Sequence, residues 1–406
     1  MNGGMTRALA HGAWPEAAAA QASLKPFAPV LTGFVAELSR QLLGNPGVRR
    51  HPELVALGYW MRPASVRRIV DRFLSRLDHA VAAPRGLVFH IAPSNVDTIF
   101  VYSWVLSLLC GNRNVVRLSS RSTPQLELLL QTIDACLALE AYADVASRIS
   151  VVRYEHADSI TGALSARADT RVIWGGDQTV QAIRRIPLPP TANEVAFANK
   201  LSLAVLDGMH WKGLDDAARD ALAQRFANDA YWFAQAACSS PRALLWHGSL
   251  PPPADVDDFW RRVLRASDAI PGDFLAVDAV NKLVSADQVA AELEASFLPT
   301  PDNRLTRVGI RIDQLASVLD RDVHCGAGLF FEASLPRLAD LVPALSRRVQ
   351  TLSHAGLEPA ALVEFLSSGP LPGIDRAVPF GQALDFSPVW DGFDFFEVLT
   401  RRVTWA

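Results

Sequence analysis

Several things are scarce in this 406-residue chain, and each scarcity removes a class of function. Cysteine occurs only four times, at positions 110, 136, 238 and 325, with no CxxC and no paired spacing. That pattern reads as reduced thiols and not as a disulfide framework. No apolar run is long: the longest, "IFVYSWVLSLLC" (99–110), falls short of the roughly 20 residues a membrane span needs. An excess of basic charge is also missing. Lys plus Arg number 39 against 42 Asp plus Glu, a net charge of -3, so no global field points to nucleic acid. There is no HExxH metal signature and no GxSxG elbow of a serine hydrolase. No internal repeat is present. The first residues show neither a basic start nor a continuous apolar segment, so the expected location is cytoplasmic.

What remains is an ordinary globular composition, half apolar and one-fifth charged, at a length that suits two or three domains. Residues 28–80 carry helical periodicity, with Val30, Phe34, Leu38 and Leu42 on one face and Val66, Ile69, Phe73 and Leu77 on another. From 86 onward short β runs alternate with helical windows: 86–93, 114–118, 148–154, 170–174 and 200–207 read as strands. The class is therefore α/β, with a parallel, doubly wound sheet and a second α/β block from about 208. Its first helix is predicted over about 215–236, with Asp215 as its cap. The expected domains are a helical region (1–84), a nucleotide-binding domain (85–207), a catalytic domain (208–375) and a C-terminal segment (376–406). That last segment is expected to pack back on the cofactor domain or to lie at an oligomer interface.

Three turns deserve weighing as ligand sites, because carboxyl ends of parallel strands and helix N-termini offer unpaired N–H groups. "IAPSNVDT" (91–98), with Pro93, Ser94 and Asn95, follows the first strand. It is not a GxGxxG turn, and a plain capped helix start would look the same. "VVRLSSRS" (115–122) ends the next strand. Where an NAD site usually has a carboxylate, Arg117, Ser119, Ser120 and Arg121 offer positive charge and hydroxyls, which suit a 2′-phosphate, hence NADPH. A solvated basic loop is the plain alternative. "VIWGGDQTVQAI" (172–183) brings Gly175, Gly176 and Thr179 to a turn where backbone can approach a ligand closely.

Of the cysteines, Cys110 and Cys136 lie in apolar helical windows and read as core. Cys325 has His324 beside it, but neighbours on a strand point to opposite faces. Cys238, in "WFAQAACSSPRALLWHG" (232–248), sits among small residues between a helix and a strand. Packing and nucleophilic readings both fit that locality, since a thiol needs an activating environment.

In order, "HIAPSNVDTIFVYSWVLSLLCGNRNVVRLSSRS", "WGGDQTVQAIR", "AQAACSSPR" and "GIDRAVPFGQALDFSPVWDG" resemble the bacterial long-chain acyl-CoA reductases of the LuxC type, within the aldehyde dehydrogenase superfamily. The resemblance runs from about 85 to the end. It implies an aldehyde-dehydrogenase-like fold and NADPH-dependent reduction of an acyl-CoA or acyl-carrier-protein thioester to an aldehyde. Cys238 matches the thiol nucleophile, and Asn95 the amide that joins the Cys238 N–H in the oxyanion hole. Arg117 takes the place of a ribose-contacting lysine, followed by Ser119 and Ser120, and Gly175 and Gly176 match the turn near the pyrophosphate. The oxidising members' Glu, in a Glu-Leu-Gly-Gly-Lys stretch, aligns with Ala196 when Lys200 takes the Lys position, with Glu194 close by. Loss of that base suits a reductase. An aldehyde-oxidising enzyme using Glu194 and a silent nucleotide-binding scaffold are the alternatives. His247 and His324 are candidates for handling the leaving thiol. A homo-oligomer and an acyl-protein synthetase partner are also implied, with no metal.

Overall fold

Strands covered on both faces need apolar residues at nearly every position, which is why they read as runs and not as alternation. The computed structural model describes residues 4–93, 96, 98–271, 274–321 and 323–405. It divides the chain into two units, residues 1–198 with 386–406, and residues 199–385.

In the first unit the strands β1 (Leu87–Ile91), β2 (Arg113–Leu118), β3 (Ile149–Arg153), β4 (Thr170–Trp174) and β5 (Asn193–Phe197) are mutually parallel. Their order is β3-β2-β1-β4-β5, extended beyond β3 by the antiparallel edge strand Thr6–Arg7. The first strand is central, so the crossovers change direction between β1 and β4, the switch point of a nucleotide-binding sheet. Between the strands run α1 (Ile99–Leu109), α2 (Pro124–Leu137), α3 (Asp158–Ser165) and α4 (Asp177–Arg184). α1 is buried at nine positions, including Phe100, Trp104 and Leu108, as expected for the longest apolar run. Cys110 and Cys136 are buried, and burial pushes the Cys136 thiol up to about 12, so both act as packing atoms.

The second unit holds β6 (Leu201–Asp207), β7 (Pro241–His247), β8 (Ser296–Leu298), β9 (Thr306–Gly309), β10 (Leu329–Leu335), β11 (Val349–Ala355) and β12 (Arg376–Pro379). They form one sheet in the order β8-β9-β10-β7-β6-β11-β12, parallel except for β8. Side chains alternate between its faces: Leu201, Leu203 and Val205 of β6 enter one core, Ala204 and Leu206 the other. The helices α5 (Asp216–Tyr231) and α6 (Pro253–Ser267) cover the second face through Phe226, Phe259 and Trp260. Each fully buried side chain of this size contributes about 1.5–3 kcal/mol by leaving water. Glu332 of β10 is buried against Arg307, Trp246 and Trp260, and all three donate to its carboxylate.

The division falls at Ala198/Asn199 and not at 207/208. Residues 201–207 do form a strand, but it is an interior strand of the second sheet and not the end of the first. The C-terminal stretch is likewise shared. β12 pairs with β11, whereas residues 386–406 belong to the first unit, where strand Thr400–Thr404 pairs antiparallel with Ala80–Pro84. Among the described residues no helix is long and apolar enough to cross a membrane.

Candidate functional site

Cys238 is a half-buried thiol, in no disulfide, in a tight turn immediately before β7, where the Ser240 N–H donates to the Ala237 carbonyl at 3.0 Å. The helix leading to it is capped as expected, with the Ala218 N–H donating to Asp215 at 2.8 Å. It ends at Tyr231 and not near 236, because Phe233 (φ 57°), Ala234 (φ 49°) and Gln235 (φ 62°) all take left-handed backbone. For L-residues that conformation costs about 1–2 kcal/mol each, so something must hold it.

The holder is the Gln235 side chain, 3% exposed. Its Nε2 donates to the Pro241 and Leu329 carbonyls at 2.8 and 2.9 Å, and its Oε1 accepts the Gly328 N–H at 2.9 Å. A second left-handed turn, Gly326–Ala327–Gly328, packs against the first, with the Ala327 N–H donating to the Ala234 carbonyl at 2.8 Å. A Cβ on Gly326 would lie 2.7 Å from that carbonyl oxygen, so only glycine fits there.

Two further residues reach Cys238 itself. Ser202 Oγ of β6 donates to its carbonyl at 2.8 Å, and Gln350 of β11, 1% exposed, directs Nε2 at Sγ at 3.6 Å. Neither Gln235 nor Gln350 was anticipated from the sequence. The strand that carries Gln350 reads VQTLSHA, with Thr351, Ser353 and His354 polar as well, so nothing local marked that residue out.

Neither histidine candidate fits a proton-transfer role. The Gly326 N–H donates to Nδ1 of His324 at 3.1 Å, and its Nε2 lies 2.8 Å from the Leu329 carbonyl. Surrounding protein and the nearby Arg242 charge push its pKa down to about 3, so it is a neutral strut with both nitrogens engaged. His247 pairs with Asp207 at 3.1 Å at the far end of the seven-residue β7, about 20 Å along the strand from the cysteine turn.

Glu194, the base required by the oxidising alternative, lies on β5 opposite Arg171 of β4. The Arg171 guanidinium, 2% exposed, donates through Nε at 2.7 Å, and Arg184 Nε donates to the other carboxylate oxygen at 3.0 Å. Ala196, two residues along β5 and so on the same face of the sheet, packs against the core. Glu194 is thus a structural ion-pair partner. Lys200 pairs with Asp375 at 2.9 Å within the second unit.

In the first unit, Pro93 follows β1, Ser119, Ser120 and Arg121 follow β2, and Gly175 and Gly176 follow β4. These strands are neighbours and parallel, so the three turns share one edge of the sheet. Ser94 and Asn95 lie outside the described residues. Arg117, next to last in β2, donates to the Tyr154 carbonyl at 3.2 Å, with its guanidinium 5.3 Å from the Tyr154 ring centre. Gly175 abuts Thr179 in the first turn of α4, and a Cβ on Gly175 would lie 3.0 Å from the Thr179 side chain. A switch-point edge, a close-packed glycine turn and a helix N-terminus together fit a dinucleotide.

Solved structures, among them aldehyde dehydrogenases, share this fold. An oxidoreductase from Marinobacter aquaeolei superposes with a TM-score of 0.66 at 11% identity, covering 96% of this chain and 89% of that one. A NAD-dependent benzaldehyde dehydrogenase from Corynebacterium glutamicum gives 0.60 at 14%, covering 94% and 86%. The 3,6-anhydro-L-galactose dehydrogenase in complex with NAP gives 0.61 at 13%, covering 96% and 88%. At these identities the likeness is one of fold. The chain belongs to the acyl-CoA reductase (LuxC) family, whose sequence profile matches residues 65–402. The long-chain acyl-protein thioester reductase of Vibrio harveyi is 27% identical over 184 residues, which span 44% of this chain and 36% of that protein. The family and fold expected from the motifs are borne out.

Proposed function

We propose that this protein reduces an acyl thioester, from acyl-CoA or an acyl-carrier protein, to the aldehyde through a covalent intermediate on Cys238, with NADPH as reductant. The observation that carries this reading is the Cys238 turn itself. In a chain of the acyl-CoA reductase family, a half-buried thiol in no disulfide follows a left-handed segment held by the buried Gln235 amide and meets the buried Gln350 amide.

When bound, the reduced nicotinamide supplies a hydride; Arg117, Ser119, Ser120, Arg121, Gly175, Gly176 and Thr179, with Pro93 and Ser94, would hold the dinucleotide. Cys238 Sγ, as thiolate, attacks the thioester carbonyl, and the new C–S bond leaves an oxyanion. The Cys238 N–H and the Asn95 amide are assigned to that oxyanion, and losing one such donor typically costs about 2.7–4 kcal/mol of barrier. Collapse breaks the bond to the donor's sulfur, which leaves as a thiol with one proton. Hydride addition to the acyl carbon makes a second oxyanion at the same position. Its collapse breaks the Cys238 C–S bond and releases aldehyde. Engagement of Glu194 by Arg171 and Arg184 leaves that carboxylate unsuited to activate water, which supports reduction over oxidation. A second copy of this chain and an acyl-protein synthetase are the implied partners, checked by light scattering and co-purification.

Intact-mass measurement after incubation with a panel of acyl-CoAs tests the reading. One acyl group is expected on the wild type and none on Cys238→Ala, and NADPH should discharge the label as aldehyde. An acyl label retained on Cys238→Ala overturns it.

A further inference from the structure

Gln350 enters the cysteine turn through an irregularity in the sheet. β11 pairs with β6 at Val349↔Leu201 and next at Leu352↔Leu203, so Gln350 and Thr351 together oppose Ser202. Such a bulge re-aims side chains that would otherwise alternate. Here both side chains join one chain of hydrogen bonds. Arg376 Nε, on the neighbouring β12, donates to Thr351 Oγ1 at 3.0 Å. Thr351 Oγ1 donates to Gln350 Oε1 at 3.2 Å, and Gln350 Nε2 reaches Cys238 Sγ at 3.6 Å.

The direction of this chain follows from its far end. A guanidinium only donates, so the Thr351 hydroxyl accepts from it and gives its own hydrogen to the amide oxygen of Gln350. That assigns the NH2 group to the sulfur side, where it too can only donate. Resting on the reading of Cys238 as nucleophile, we propose that Arg376, Thr351 and Gln350 form a donor relay whose end group, Gln350, stabilises the anionic sulfur of Cys238. Gln350 is then a catalytic residue of the acylation step, and Thr351 and Arg376 are positioning residues.

The surrounding charges leave room for this. Lys200 and Asp375, beside Gln350, pair with each other at 2.9 Å. Burial pushes the carboxyl of Asp385 up, and its backbone carbonyl accepts from Arg376 Nη1 at 2.7 Å. On the strand after the cysteine Arg242 adds positive charge, and His324 of the opposing turn is neutral. All of these stay in place in the test.

The test follows alkylation of the full-length protein by iodoacetamide across pH, with the Cys238 peptide quantified by mass spectrometry. Hydrogen bonds to charged groups set the scale: Gln350→Ala should raise the midpoint by about one pH unit and slow alkylation about tenfold below it. Gln350→Glu, which places a carboxylate there, should raise it further. Thr351→Val keeps the amide and the shape, so it carries the test if Gln350→Ala fails to fold; a smaller rise is expected. Unmoved midpoints in folded variants overturn the relay. A shifted midpoint without acyl transfer to wild-type Cys238 sustains the contact and overturns only the nucleophile reading.

Discussion

In the first unit Ser120 and Arg121 are exposed and Ser119, Gly175, Gly176 and Thr179 half-buried, at the open edge of a regular sheet. Around Cys238 the second unit sets two buried amides, two facing left-handed turns and pairing irregularities in β6, β7 and β11 at Ser202. On the function proposed above, the difference follows from what each place would do. A turn that receives a diffusing cofactor must leave its donors to the ligand. A turn that presents one reacting sulfur gains from being over-determined, because backbone strain persists only where neighbouring groups enforce it.

Removing the strongest restraint tests that contrast most severely. Gln235→Ala would strand the Pro241 carbonyl and the Gly328 N–H and leave the Leu329 carbonyl to His324 alone, at a cost of about 3–5 kcal/mol. Urea denaturation should show that loss, with slower alkylation of Cys238, and an unchanged midpoint of unfolding would break the comparison.

Acid should act through the floor of the first unit. His90 of β1 is fully buried between Ser103 (3.2 Å) and Asn114 (3.1 Å), and burial lowers its pKa from 6.5 to about 4. A depressed histidine pKa stabilises fully above pH 6.5 and loses that contribution as pH falls toward 4, by about 3 kcal/mol. Thermal unfolding across pH 4–7 should show wild-type stability falling with acid and His90→Gln flatter over that window.

Arg117→Ala should weaken NADPH binding about tenfold, some 1.4 kcal/mol, while stability moves by roughly 0.5 kcal/mol or less. Calorimetric titration against NADPH and NADH sharpens the assignment, and equal losses for both would remove the 2′-phosphate from it. Smallest of all, Ala234→Gly should leave the fold intact or up to about 1 kcal/mol more stable, since Ala234 is exposed at φ 49°. Destabilisation there would mean the left-handed turn is not strained.

How much of this was legible depends on the range of the interactions. Four strands of the first sheet, β1 to β4, could be read to within a residue or two, because burial on both faces writes itself as local apolar runs, whereas Asn193–Phe197 and the Thr6–Arg7 edge were not read as strands. Residues 201–207 were equally plain as a strand, yet nothing local says which sheet a strand joins. The segment 386–404 was expected to pack back but could not be assigned elements by periodicity, because its partners lie far back, with Thr400 opposite Pro84. Cys238 stood out through the order of motifs around it. Gln235 and Gln350 did not, because a buried amide is recognisable only by carbonyls, N–H groups and a sulfur supplied from elsewhere in the chain.

The return of residues 386–404 to the first unit makes that unit discontinuous, with the whole second unit inserted in it. Phe395 and Phe396 are 1% exposed there, the Leu399 carbonyl accepts from Asn112, and the Val398 carbonyl accepts from Asn193 and Arg85. During synthesis the second unit can therefore close before the first is complete, while the buried places of these aromatics and the pairing edge of Ala80–Pro84 stand open. Chains stalled shortly before residue 386 should show a protease-resistant second unit beside a still-sensitive first one, so the order of assembly is written into where the polypeptide crosses between them.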